Sequence, residues 1–412
     1  MTPAAERVLA RLDVRIAREH AHFRSGAAFD ADQMMLAVGR DAGRLLNLLA
    51  KMGRCVRLLE AGTSVGYSTL WLADAAAAMG GRVVSTEQLA AKHAEARENL
   101  TAAGLMGCVE MHTGDALATI RRHAGPFDFA LIDLWKNHYV PVLEELRPKL
   151  APGALIAADN MIAPESARPQ AERYRRFVAR QPDFETVLLP IANGIELTRK
   201  RRDEGPLPAR VGRVLERLER RAVREDALRR SLGEAEYRSR LGEFLLPVGP
   251  ASGRFLNLLV KHGGCTRILE LGTSAGYSTL WLADAARATR GRIQTIDHSS
   301  EKHAQARANL KAAGLAERVQ YITGPMLETA ARLPGPFDFV LLDYDRAEFP
   351  ACLDLLMPKL APGAVLAADN MIEPAATRLL ADAYRAHVAA QPGLETVLVP
   401  VGNGIELTRK DS

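Results

Sequence analysis

Short apolar runs alternate along the chain with longer segments in which apolar residues recur every three or four positions. The short runs are typical of buried strands and the periodic segments are typical of helices with one buried face. In the first half of the chain the predicted strands are 57–61, 82–86, 108–112, 127–133 and 153–159, and the predicted helices are 66–79, 90–103, 115–123, 138–149 and 165–180. This alternation predicts an α/β fold with a mainly parallel, doubly wound sheet.

The end of this pattern differs from the rest. Residues 184–191 and 195–200 are two apolar runs that flank Asn193-Gly194, a dipeptide typical of a two-residue β-hairpin turn. We therefore expect the parallel sheet to finish in an antiparallel hairpin strand. Such an ending distinguishes the fold from an ordinary dinucleotide-binding domain.

The whole pattern occurs twice. The segment LLEAGTSVGYSTLWLADA at 58–75 returns as ILELGTSAGYSTLWLADA at 268–285, and an offset of 210 residues holds without insertion or deletion as far as Asn193 and Asn403. A repeat of this length indicates a duplicated domain. We predict domains at 1–200 and 210–412, joined by a charged linker at 201–209.

Charge and composition narrow the class of protein. The chain has 412 residues and a net charge of +5, and the stretch 199–230 alone holds 12 Lys/Arg against 6 Asp/Glu. That stretch contains acids and lacks aromatic residues, which argues against nucleic-acid binding. No apolar run approaches the ~20 residues of a membrane helix. The charged N-terminus is expected to be an amphipathic helix without a signal peptide, and the four scattered cysteines fit a reducing, cytoplasmic compartment.

A glycine-rich turn follows the first strand of each copy. The strand ends in Glu60, and Gly62 and Gly66 come before the next helix. This strand–turn–helix arrangement occurs in NAD enzymes, in enzymes that bind S-adenosylmethionine (SAM) and in purely structural turns. The spacing lacks the third glycine of the NAD pattern, and the acid suits a ligand with an ammonium group, so we favour SAM. The equivalent residues of the second copy are Glu270, Gly272 and Gly276.

Two further acids fall where a nucleoside would bind. Glu87 ends the second strand, where a carboxylate can accept hydrogen bonds from both ribose hydroxyls, and its counterpart is Asp297. Asp115 follows the third strand, near the expected adenine. The second copy has Pro325 there, so a contact by Asp115 would not be shared.

A candidate metal site lies at the ends of the next two strands. Asp133 ends the fourth strand, and Asp159 and Asn160 end the fifth, so all three side chains should meet at one edge of the sheet. Two carboxylates and an amide are suited to Mg²⁺ or a similar divalent ion. The alternative is that Asp-Asn only forms a turn or a helix cap. The second copy repeats the set with Asp343, Asp369 and Asn370.

The copies differ beside this predicted metal site. Lys136 follows Asp133 by three residues, and a lysine next to a divalent cation should have a lowered pKa and could act as a general base. The alternative is an exposed lysine at the start of a helix. The second copy has Arg346 at this position. A guanidinium stays protonated and cannot serve as a base.

Taken together, these motifs resemble a known family. E-x-G-x-x-x-G-Y-S, the strand F-D-F-x-x-x-D, the following D-x-W-K and the D-N pair are similar to those of the divalent-cation-dependent O-methyltransferases of the catechol and caffeoyl-CoA type. The resemblance covers nearly all of both copies. It implies two tandem Rossmann-like class I methyltransferase domains, each with a seven-stranded sheet. It also implies SAM as methyl donor and a divalent cation, Mg²⁺ first, that chelates two oxygens of a catechol-like substrate.

The resemblance also assigns roles to residues. It implies that Asp133, Asp159 and Asn160 hold the metal, and that Lys136 is the catalytic base. Glu60, Gly62, Ser68 and Glu87 would contact SAM, as would Glu270, Gly272, Ser278 and Asp297 in the second copy. Trp135 would form a wall for the aromatic ring of the substrate, unless its indole belongs to the core.

From these features we expect a SAM-dependent O-methyltransferase that acts on a catechol-like or other vicinal-dihydroxy molecule. The first domain would be catalytic and the second would be weaker, divergent or regulatory. Alternatively, both sites are competent, the second half is a SAM-binding scaffold, or the enzyme methylates RNA. Because family members commonly form homodimers, the two halves are expected to pack as a pseudo-dimer, and a homo-oligomer is possible.

Overall fold

The computed structural model describes residues 1–25, 30 and 32–411. The chain divides into two compact units, Met1–Asp203 and Glu204–Ser412. Each unit is built around one seven-stranded sheet with helices packed against it.

The elements of the first unit alternate as the sequence predicts. Its helices are α1 Pro3–Arg24, α2 Arg40–Met52, α3 Tyr67–Ala78, α4 Ala90–Ala102, α5 Ala116–Arg122, α6 Tyr139–Leu146 and α7 Arg168–Ala179. Its strands are β1 Arg57–Ala61, β2 Arg82–Glu87, β3 Val109–Thr113, β4 Phe127–Ile132, β5 Leu150–Ala158, β6 Phe184–Leu189 and β7 Ile195–Lys200.

The second unit repeats these elements, and the structure also describes a short helix, α9, near the start of this unit. Its helices are α8 Ala209–Ser231, α9 Glu234–Ser239, α10 Pro250–Gly263, α11 Tyr277–Thr289, α12 Ser300–Ala313, α13 Met326–Arg332, α14 Phe349–Leu356 and α15 Arg378–Ala390. Its strands are β8 Arg267–Leu271, β9 Arg292–Asp297, β10 Val319–Thr323, β11 Phe337–Leu342, β12 Leu360–Ala368, β13 Leu394–Val399 and β14 Ile405–Lys410.

The strand order in the first sheet is β3-β2-β1-β4-β5-β7-β6, and the second sheet has the same order. Strands β1 to β5 pair in parallel, and β7 lies antiparallel between β5 and β6. The predicted mixed sheet with an antiparallel ending is confirmed. The chain leaves β1 toward β2 on one side and returns to β4 on the other, so the carboxyl ends of β1 and β4 flank the crevice in which such sheets bind ligands.

The predicted two-residue turn between β6 and β7 is wrong. Leu189 pairs with Ile195, so the loop contains five residues. The backbone oxygen of Asn193 accepts a hydrogen bond of 2.8 Å from the Ile162 amide, and that of Gly194 accepts one of 2.9 Å from the Met161 amide. The loop is therefore longer than a tight turn because it binds the segment that follows β5.

Helix α1 packs against α3 and α4 through one face. Its buried residues are Ala5, Val8, Leu9 and Leu12, a spacing that places them on one face, as the predicted amphipathic helix requires.

The cysteines are free thiols, and Cys55 and Cys265 are buried. Among the described residues, none of the helices combines the length and the apolar character needed to cross a membrane.

Candidate active site

The carboxyl group at the end of β1 lies inside the protein. Glu60 is fully buried, and it accepts hydrogen bonds from the hydroxyls of Ser68 at 2.7 Å, Thr69 at 2.5 Å and Ser85 at 2.5 Å. Burial raises the pKa of Glu60 to about 7, although the three hydroxyls act in the opposite direction. Glu60 and Ser68 stay predicted cofactor residues, but their observed contacts here are with each other and with the protein.

The two glycines of the β1 turn are required by neighbouring protein atoms. A Cβ on Gly62 would lie 1.9 Å from the backbone oxygen of Asp133, and one on Gly66 would lie 3.2 Å from the Cβ of Ala96. Both glycines have positive φ, +104° and +86°. The turn can therefore cross the end of β4 closely only because position 62 has no side chain.

Glu87 is held by backbone amides at the end of β2. One carboxylate oxygen accepts from the Ser64 amide and the other from the Leu89 amide, both at 2.8 Å. Each oxygen has a second lone pair, so the group can still accept two ligand hydroxyls. Asp297 is held in the same way by the amides of Ser274 at 2.8 Å and Ser299 at 2.9 Å.

Asp115 has a different setting from that of Glu87. It is exposed and caps α5, because its carboxylate accepts a hydrogen bond of 3.1 Å from the Ala118 amide. The same position in the second unit, Pro325, is the N-cap of α13 and forms no side-chain hydrogen bond. The capping role explains Asp115 without a ligand, and its predicted adenine contact stays a prediction.

The predicted oxygen ligands meet at the ends of β4 and β5. Asp159 is only 1% exposed, and its Oδ1 atom has no hydrogen-bond partner. Burial and the nearby carboxylate of Asp133 raise the pKa of Asp159 to about 8. Burial raises the pKa of Asp133 to about 6, while Lys136 opposes that shift.

A bound cation fits these observations. A buried carboxylate oxygen without a partner is costly, and the carboxylates of Asp159 and Asp133, one buried and one half-buried, repel each other. A divalent ion coordinated by Asp133, Asp159 and Asn160 would satisfy the free oxygen and neutralise both acids. Asn160 adopts a left-handed conformation with φ of +53° at the point where the chain leaves the strand.

Lys136 lies directly beside these groups. Its Nζ donates a hydrogen bond of 3.1 Å to Oδ1 of Asn160 and a second, short one to the hydroxyl of Tyr139. The Tyr139 hydroxyl in turn donates to the backbone oxygen of Asp159 at 3.1 Å. Burial lowers the pKa of Lys136, against the opposite influence of Asp133 and Asp159. The lysine is half-buried in the site rather than an exposed residue at a helix start.

Trp135 precedes this lysine and is 63% exposed. Its indole is therefore not part of the core, which removes the alternative left open by the sequence. It can present an aromatic surface to a molecule that approaches the site.

The second unit keeps both carboxylates, but its Asn370 and Arg346 side chains make different contacts from those of Asn160 and Lys136. Asn370 donates a hydrogen bond of 3.0 Å to Asp343. Asp369 also has a buried Oδ1 without a partner, and burial and Asp343 raise its pKa well above the ordinary value. Arg346 donates a hydrogen bond to Thr377, on the segment before α15.

Tyr139 is a site residue that the sequence reasoning missed. It is fully buried and joins Lys136 to the end of β5. The equivalent residue is Phe349, so the tyrosine and the lysine change together between the copies. That joint change was visible in the repeat and could have pointed to Tyr139.

Comparisons with known proteins give a consistent result. A family model described as O-methyltransferase matches residues 21–201 and 220–411. A catechol O-methyltransferase of Mycobacterium tuberculosis (strain ATCC 25618 / H37Rv) is 40% identical over 129 residues, which are 31% of this chain and 58% of the relative. A caffeoyl-CoA O-methyltransferase of Mesembryanthemum crystallinum is 28% identical over 189 residues, which are 41% of this chain and 74% of the relative.

The chain thus spans less than two thirds of the length of the mycobacterial relative, 58% of it. Among solved structures, the O-methyltransferase from Bacillus cereus in complex with SAH has 26% sequence identity and a TM-score of 0.40. That match covers 49% of this chain and 92% of the Bacillus chain.

Proposed function

The chain belongs to the O-methyltransferase family, and from this membership we propose that its first unit methylates a hydroxyl of a small molecule, with SAM as donor. We propose further that the acceptor is catechol-like, with two vicinal hydroxyls, and that the reaction requires a divalent cation. The second unit would be a divergent copy that does not carry this reaction at the same rate.

One observation carries the proposal: Asp133, Asp159, Asn160 and Lys136 lie together at the ends of β4 and β5, with Asp159 buried and the other three half-buried. The unpartnered Oδ1 of Asp159 supports a bound cation. The hydrogen bond of 3.1 Å from Lys136 to Asn160 places the proposed base beside it. When bound, a divalent cation would lower the pKa of a substrate hydroxyl and fix its orientation.

Lys136 is the residue we propose as general base. To accept a proton it must be neutral, and burial favours the neutral form. Tyr139 and Asn160 fix the position of its Nζ atom, so the lysine needs little rearrangement to meet a substrate hydroxyl.

Glu87 and the β1 turn are proposed to hold the nucleoside of SAM. The two backbone amides leave the carboxylate of Glu87 with lone pairs for the ribose hydroxyls. Asp297 has an equivalent setting, which supports SAM binding in the second unit as well. A second unit that binds SAM but has Arg346 in place of the lysine would act as a weak or regulatory half.

The experiment that tests the proposal measures methyl transfer from labelled SAM to catechols and caffeoyl-type phenols, with Mg²⁺ and with chelator. We expect transfer to vicinal diols that the chelator abolishes. Transfer that is insensitive to the chelator would refute the role of the cation. Equal transfer to monophenols would refute the vicinal-diol substrate, and SAM binding without any transfer would refute the acceptor class.

Matched variants separate the two units. Asp159→Asn should abolish cation-dependent transfer, since it removes one of the two carboxylates in the first unit. Asp369→Asn makes the same change in a second unit with the same buried, unpartnered oxygen. It should leave most of the activity, and equal losses in both variants would contradict a single main active site.

A further inference from the structure

A second group of possible metal ligands lies on the edge strand of the first sheet. Glu110 and His112 are two residues apart on β3, so their side chains point to the same face. His123 directly follows α5 and reaches the same point. These three residues play no part in the function proposed above.

The three ligand atoms form a compact triangle. Nε2 of His112 is 2.9 Å from Oε1 of Glu110 and 3.2 Å from Nε2 of His123, and the third side measures 3.7 Å. In a tetrahedral zinc site, nitrogen and oxygen ligands at about 2.0–2.1 Å from the ion lie roughly 3.3 Å from one another. The mean side of the observed triangle matches this spacing.

Hydrogen bonds satisfy this arrangement only in part, because a single Nε2 proton of His112 would have to serve both Glu110 and His123. If His112 donates its Nε2 proton to Glu110, its Nε2 has no lone pair for His123. If His123 instead donates a proton to an unprotonated Nε2 of His112, no proton remains between that Nε2 and Glu110. Two imidazoles and a carboxylate that converge on one point are satisfied together by a metal ion in the centre.

The second unit provides an internal comparison. On the equivalent backbone of β10 and α13, the three positions are Gln320, Ile322 and Leu333, which together cannot hold a metal. Among the described residues, the His112 group is the one set of three or more His, Cys, Asp or Glu side chains whose ligand atoms converge in this way. The fold therefore does not require these residues, and their presence is particular to the first unit.

We propose that Glu110, His112 and His123 form a binding site for Zn²⁺ or a similar transition-metal ion. Two imidazoles and one carboxylate are a known zinc ligand set, and they leave the fourth position open. The side chain of Glu110 is 52% exposed, so water or an external ligand can take this position. The site differs in chemistry from the all-oxygen site of Asp133, Asp159 and Asn160, which suits Mg²⁺.

The test titrates Zn²⁺ into the full chain after metal removal, in excess Mg²⁺ so that the oxygen ligands are saturated. The wild type should bind one Zn²⁺ at the His112 group. His123→Leu and His112→Ile introduce the residues of the second unit, which a homologous backbone already accommodates. Each should weaken zinc binding at least about tenfold, because loss of even an outer-shell partner costs about 10- to 100-fold.

Glu110→Gln is the third variant in the zinc titration. It keeps the shape of the side chain but removes the charge of the carboxylate. The control is His387→Leu, which breaks a pair of 2.8 Å between His387 and Asp354. The third group at this pair is the side-chain amide of Gln391 rather than a second histidine. It should leave the zinc titration unchanged. Co²⁺ provides an independent readout, since its absorption bands report imidazole ligands in four-coordinate geometry and should disappear in His123→Leu.

Two results would overturn the inference. One is a wild-type chain that binds no Zn²⁺ at micromolar concentrations in excess Mg²⁺. The other is zinc binding of equal strength in wild type, His112→Ile and His123→Leu, with all three chains folded by circular dichroism. The result does not depend on methyl transfer, so the inference and the proposed function fail or succeed separately.

Discussion

The backbone oxygen of Asp133 occupies the space that a side chain on Gly62 would need, since a Cβ there would lie only 1.9 Å away. Gly62 also has φ of +104°, which L-residues rarely adopt. Gly62→Ala should therefore destabilise the first unit by about 1–3 kcal/mol or more and displace the end of β4. A displacement of Asp133 by about 1 Å would lower the methyl-transfer rate roughly 100-fold. Thermal unfolding and kcat/KM measure the two effects.

Gly272→Ala is the matched control for this prediction. A Cβ on Gly272 would lie 1.9 Å from the backbone oxygen of Asp343, and its φ is +105°. The stability loss should be similar, but activity should persist if the first unit carries the reaction. A loss of activity as large as that of Gly62→Ala would mean that both units are needed.

Removal of the proposed base is the second prediction. Lys136→Ala should lower kcat by about 10²- to 10⁴-fold, the usual contribution of general acid–base catalysis. SAM affinity should remain, because the observed contacts of Lys136 are with Tyr139, Asn160 and Leu134 rather than with Glu87 or the β1 turn. Single-turnover transfer and SAM titration measure the two quantities.

Arg346→Ala makes the same truncation in the second unit. It removes the hydrogen bond to Thr377 but no proposed base, so kcat should stay near the wild-type value. If Arg346→Ala reduced kcat as strongly as Lys136→Ala, the assignment of the base to the first unit would be wrong.

Tyr139 should position the base without taking part in the reaction. Tyr139→Phe introduces the residue of the second unit and leaves both Lys136 and the backbone oxygen of Asp159 with one partner fewer. We expect a stability loss of about 1 kcal/mol. We also expect roughly tenfold lower kcat, about 1.4 kcal/mol, with unchanged KM for SAM.

Phe349→Tyr places the tyrosine of the first unit in the second unit and tests whether this hydroxyl acts only through Lys136. The new hydroxyl would have Arg346 rather than a lysine nearby, so it should not add activity to a chain that carries Lys136→Ala. An increase in the KM for SAM in Tyr139→Phe, without a change in kcat, would contradict a positioning role at the base.

The sequence predicted the sheet well because each strand is a short apolar run with a clear boundary. Asp133 and Asp159 follow such strands, so their meeting at one edge follows from parallel pairing alone. The five-residue loop before β7 was not predictable from Asn193-Gly194, since its length depends on hydrogen bonds to Met161 and Ile162, which are distant in sequence.

Side-chain contacts between elements were harder to predict than strand ends. Ser68 and Thr69 belong to α3, whereas Ser85 belongs to β2, and only the packed fold brings their hydroxyls to one carboxylate. The short helix before His123 was predicted, but the contact of His123 with His112 was not, because the two side chains belong to different elements.

The buried carboxyl of Glu60 should make stability depend on pH. Burial raises its pKa to about 7 from an ordinary 4.5, so the folded chain retains a proton that the unfolded chain releases above about pH 4.5. The free energy of unfolding therefore falls as pH rises from about 4.5 to 7. The loss at pH 7 is about 3 kcal/mol for one such group. Glu270 has the same contacts with three hydroxyls, and burial raises its pKa to about 7 as well.

Glu60→Gln removes the ionisation but keeps the shape, and the surrounding hydroxyls can rotate to meet the amide. Denaturant unfolding of the first unit at pH 5, 6 and 7 should show a smaller decline than in the wild type, by about 2 kcal/mol between pH 5 and pH 7. Glu98→Gln changes an exposed carboxyl and should follow the wild-type curve. Parallel curves for Glu60→Gln and the wild type would mean that Glu60 stays ionised in the folded protein. Its three hydroxyl partners would then outweigh the cost of burial.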